Sequence, residues 1–122
     1  MFRTVILAAF SVVLPLAHAA DQGTPKAVTG FVLDSACAFT KGLTKPVSRD
    51  CALACARNGS PLVVLQDDGT IYWPISGSMP AASQNNRLMP YAGKRATVSG
   101  RVYSRGGSNA IVIDTIQAET AR

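Results

Sequence analysis

The sequence predicts a mainly β fold, a small five-stranded antiparallel barrel, on three observations. Ala96, Val98, Gly100 and Val102 alternate with Arg95, Thr97, Ser99, Arg101 and Tyr103, the two-residue period of a strand with one buried face. Further segments of strand length are rich in apolar and β-branched residues and are divided by Gly, Pro, Asn and Asp. No long helical period competes with them, and short strands of this kind avoid exposed edges by closing into a ring.

The elements follow in order. Residues 1–19 read as an export signal: Arg3 precedes an apolar run from Val5 to Leu16, and Ala17-His18-Ala19 supplies small residues for cleavage before Ala20. The apolar run is shorter than the roughly 20 residues of a bilayer span, so a periplasmic or secreted protein without a membrane span is expected. Residues 20–26 form a flexible lead-in to a barrel domain over 27–118. The first strand covers 27–33 and the second 62–66. Asp67-Asp68-Gly69-Thr70 is a turn by composition, returning into a third strand at 71–75 that Pro74 either ends early or confines to an edge. Residues 76–86 are polar and interrupted by Gly77 and Pro80, with a short helix at 82–88. The fourth strand is the alternating one, and residues 110–116 pair back onto it as the fifth.

Composition excludes several functions. Cleavage after Ala19 removes His18, the sole histidine of 122 residues, and with it the usual general base and commonest metal ligand. Serine–histidine and cysteine–histidine nucleophile pairs and histidine-zinc catalysis fall away, as does haem attachment. The net charge of +5, reduced to +4 without Arg3, is scattered, and no basic run resembles a nucleic-acid arm. A nucleic-acid partner is not expected. The partner is a protein or small ligand of unspecified identity.

Between the first two strands lies an insertion, 34–60, that holds every cysteine: Cys37, Cys51 and Cys55. Ser48 is a good N-cap, Gly59 a good C′ residue and Pro61 a stop, so residues 49–58 should be helical. Cys51 and Cys55 then share a face with Ala52 and Ala56 at its inward side. Three chemistries suit this trio. A disulfide between Cys37 and either helical cysteine would staple a loop and stabilise by about 3 kcal/mol, leaving one spare thiol. Three thiolates could instead hold copper(I) or zinc, with Asp34, water, Met79 or Met89 adding a ligand. Third, Cys51 sits near the third helical position, where the helix dipole favours a thiolate and a thiol redox role. The odd cysteine also allows a disulfide-linked dimer beside the monomer. A structural, non-enzymatic role for the insertion ranks first, with no cofactor bound, and ligand binding second.

Two weaker candidates complete the search. Arg95, Arg101, Tyr103, Tyr72 and Trp73 could make a basic and aromatic surface, though a solvated barrel face explains them as well. Asp67 and Asp68 could pair for acid–base work or calcium, but aspartates before glycine usually make turns.

The order of three strands, short helix and two strands, with the run from Leu88 to Val102, resembles an OB-fold. Gly30, Asp34, Ser35 and Cys37 followed by Cys51 and Cys55 also resemble a group of small exported bacterial proteins of unassigned function, in which a Gly-x-x-x-Asp-Ser-x-Cys strand end precedes a Cys-x-x-x-Cys segment. Many of those relatives carry a histidine shortly after the first cysteine, and this chain has Lys41 in that neighbourhood. The resemblance therefore implies an OB-like barrel without histidine-assisted metal binding.

Overall fold

A computed structural model describes residues 22–44 and 46–120. The export signal expected over 1–19 lies outside them. Five strands close into a barrel: β1 (Thr24–Asp34), β2 (Leu62–Leu65), β3 (Ile71–Ile75), β4 (Arg95–Arg105) and β5 (Ser108–Ala118), in the ring order β1-β2-β3-β5-β4. Short helices α1 (Ser35–Thr40) and α2 (Arg49–Arg57) lie between β1 and β2. A four-residue α3 (Asn85–Leu88) and a 3-10 turn (Met89–Tyr91) precede β4.

Two expectations change. The barrel is mixed rather than antiparallel, because β3 and β5 run parallel, with Tyr72 opposite Asn109 and Ile75 opposite Val112. Strand direction cannot alternate all the way round a ring with an odd number of members, so one parallel pair is unavoidable. The lead-in assigned to 20–26 is also shorter than expected. β1 begins at Thr24, which pairs with Val102, and Pro25 and Lys26 continue the ladder against Arg101 and Gly100.

Pattern explains which way each strand faces. In β4, Ala96, Val98, Gly100 and Val102 are buried while their neighbours are not. β2 is buried at all four positions because it is covered twice: Leu62 and Val64 face the barrel interior, whereas Val63 and Leu65 join Leu33 and Ala38 of α1 in an outer cluster. Pro74 lies beyond the β2–β3 ladder, which is confined to Ile71 and Tyr72. Its missing N–H therefore interrupts nothing on that side.

The barrel interior is completed by helices rather than strands. Ala52 and Ala56 of α2, Leu88 of α3 and Ala92 pack among Val28, Val32 and Val98. A sheet walls the sides of a closed barrel, so helical residues that reach its core must cover an open end. Small alanines bring α2 close. At Gly93 (φ +74°) an added Cβ would stand 2.4 Å from the Arg49 Cα, so only glycine lets the chain pass under the start of that helix.

Candidate functional site

α2 holds two of the three thiols, and its ends are set by local chemistry. Ser48 Oγ accepts from the Cys51 N–H at 3.2 Å, fixing the N-terminus. At the other end the Ser60 N–H reaches the Cys55 carbonyl (3.1 Å) and the Gly59 N–H the Ala56 carbonyl (3.0 Å), with Gly59 at φ +92°. That pair of bonds is a Schellman termination. Tertiary contacts then secure both ends. Arg49 donates to the Ala92 carbonyl at 2.6 Å. Asn85 donates to the Ser60 and Ala56 carbonyls at 2.8 and 3.4 Å and accepts from the Leu62 N–H at 2.9 Å.

Cys37 sits on a helix of its own, α1. Asp34 starts that helix: its carboxylate accepts from the Ala36 N–H at 3.1 Å. The Ser60 hydroxyl also donates to it, at 3.1 and 3.2 Å. Asp34 is only 2 % exposed, and these bonds are what make a buried charge tolerable there.

The three cysteines lie on α1 and α2. Cys51 is exposed while Cys37 and Cys55 are half-buried, and no disulfide joins them. Burial, first, and then the negative charge of Asp34 push both the Cys37 and Cys55 thiols above their ordinary value. The Cys51 thiol adds to the rise in both. A cavity of ≈230 Å³ opens between α1, the following turn and α2, with Cys37, Cys51, Asp34, Lys41, Leu33 and Val47 among its lining residues. Its walls combine thiols, one cation, one buried carboxylate and apolar side chains, a set that suits a small amphiphilic ligand. Among the described residues no three or more His, Cys, Asp or Glu side chains are grouped to hold a metal ion. Met79 is 96 % exposed and Met89 packs against the barrel core, and neither lines the thiol cavity.

The weaker candidates resolve into structural roles. Tyr72 is buried in the core, where Lys26 donates to its hydroxyl at 3.1 Å, so it does not share a surface with Trp73. Arg95 forms ion pairs with Asp67 and Glu119 and lies 5.3 Å from the centre of the Phe31 ring. Arg101 and Tyr103 both donate to the Gln22 carbonyl. Asp68 accepts from the Thr70 N–H at 2.9 Å, the turn role its composition predicts.

A second cavity, of ≈440 Å³, lies between the β2–β3 and β4–β5 turns and includes Phe39, Trp73, Asp68 and Asn109. Phe39, 62 % exposed, is 5.7 Å from Trp73 between ring centres. Among the described residues no helix is long and apolar enough to cross a membrane. No family model, curated protein or solved structure matches the chain.

Proposed function

We propose that this chain is an exported, non-enzymatic binding module built on an OB-like barrel, with the α1–α2 insertion as its functional element. In it Cys37 and Cys51 close as a disulfide staple, Cys55 is the spare thiol, and the cavity beside them takes a small ligand. The observation that carries this reading is that Cys37 and Cys51, from two different helices, line one cavity of ≈230 Å³. Support for the OB-like assignment comes from the ring order β1-β2-β3-β5-β4 and the short helix before β4. Export rests on residues 1–19.

Mass analysis of the mature protein purified without reductant tests it. A loss of two protons, with only Cys55 open to a thiol-blocking reagent, is the expected result. Three blockable thiols, or a Cys37-linked dimer that dissociates under reductant, defeat the staple. A soft-metal site is the second reading, favoured by Cys37, Cys51 and Asp34 lining one cavity. In that case all three cysteines are blockable until copper(I) or zinc is added, and protected afterwards.

A further inference from the structure

The staple needs a route by which it forms, and the unequal exposure of the three cysteines supplies one. We infer that Cys51 is an exchange site for small, carboxylate-bearing disulfides, with Cys37 as the thiol that resolves the adduct. This rests on the Cys37–Cys51 pairing proposed above. Cys51 is the exposed member at the cavity; Cys37 and Cys55 are half-buried. Exchange proceeds through the accessible thiolate, so an incoming disulfide meets Cys51 first.

The step balances. The Cys51 thiolate attacks one sulfur of R–S–S–R, a bond forms between Cys51 Sγ and that sulfur, and the old disulfide bond breaks to release RS⁻, which takes up the proton Cys51 gave up. Cys37 Sγ then attacks Cys51 Sγ, forming the protein disulfide and expelling the second RS⁻, which is protonated in turn. Two electrons pass from the protein dithiol to the small disulfide, which leaves as two thiols.

Cys55 is not the resolving thiol, although it lies one turn from Cys51 on α2. Residues four apart on a helix hold their Cβ atoms about 5–6 Å apart, beyond the roughly 3.5–4.5 Å that a disulfide requires. Joining Cys51 to Cys55 would unwind α2, which is fastened at both ends. Cys37 approaches from another helix and carries no such constraint. Lys41, on the same cavity wall, is the cation that would meet a carboxylate on the entering half.

The experiment treats the reduced mature protein with cystine or with the neutral hydroxyethyl disulfide and maps adducts by peptide mass. Wild type should pass through a transient adduct on Cys51 and finish with a Cys37–Cys51 bond. Cys37→Ser should stop at a persistent Cys51 adduct, Cys51→Ser should lose the reaction, and Cys55→Ser should behave as wild type. Cystine should react faster than the neutral disulfide, and Lys41→Ala should remove that preference. If wild type forms the staple but Cys37→Ser carries its adduct on Cys55, or cystine shows no advantage, the inference fails while the staple stands. A stable Cys51 adduct in wild type overturns the staple itself.

Discussion

Removal of the Asp34 carboxylate should be felt twice, once in stability and once in the thiols. Asp34→Ala deletes the N-cap of α1, worth about 1 kcal/mol, and the bonds from the Ser60 hydroxyl to a charged oxygen, worth about 1.5 kcal/mol. A loss of about 2–3 kcal/mol follows, because the side chain is buried and water cannot replace those partners. With a urea dependence of about 1–3 kcal/mol per molar, the unfolding midpoint, followed by fluorescence of the single tryptophan, Trp73, should fall by roughly 1–3 M. Asp34→Asn keeps a competent cap but no charge, so it should cost less while still lowering the pH at which Cys37 and Cys55 of the reduced protein become alkylated, since the Asp34 charge helps hold both thiols up. An unfolding midpoint unmoved in Asp34→Ala, together with unchanged alkylation profiles in Asp34→Asn, would refute this account of the carboxylate.

Leu88, fully buried in the end of the barrel, should cost about 2–5 kcal/mol when cut to alanine, measured by the same urea titration. Gly93→Ala should destabilise by about 1–3 kcal/mol through overpacking against the Arg49 backbone, and a circular dichroism melt of the variant at a lower temperature would show it. In the reduced protein Cys37 and Cys55 bind their protons more tightly when folded than at their ordinary value of 9.0. Their contribution is therefore fully present below about pH 9 and is lost as pH rises through the folded values. Urea midpoints at about pH 8 and about pH 10 should diverge, and less so in a Cys37→Ser, Cys55→Ser double variant. Asp68, held below its ordinary value of 3.8 by the Thr70 amide, acts oppositely, and Asp68→Ala should flatten the loss of stability in acid.

Much of the fold was legible because strong local signals agree with the global one. The alternation in β4 and the Ser48 and Gly59 boundaries of α2 each act within a few residues, and so did the placing of Cys51 and Cys55 one turn apart. What was missed depends on distant partners. α1 buries only Ala38, so it has no apolar stripe to announce it; its Asp34 cap and the outer face of β2 create it. Asn85 lies in a polar stretch where the sequence predicts a short helix but no partner, yet it fastens three backbone groups around the end of α2. The parallel β3–β5 contact was implicit in the strand number, since five strands in a closed ring cannot all oppose their neighbours.

α1 bears Cys37 on the thiol cavity and, two residues on, Phe39 beside Trp73 on the other one. With α2 held at both ends by Arg49 and Asn85, the strain of a bond between the two helices should fall on α1. The Trp73 indole beside Phe39 is thereby a built-in gauge of the sulfur chemistry: its emission should follow the state of Cys37 without any label attached.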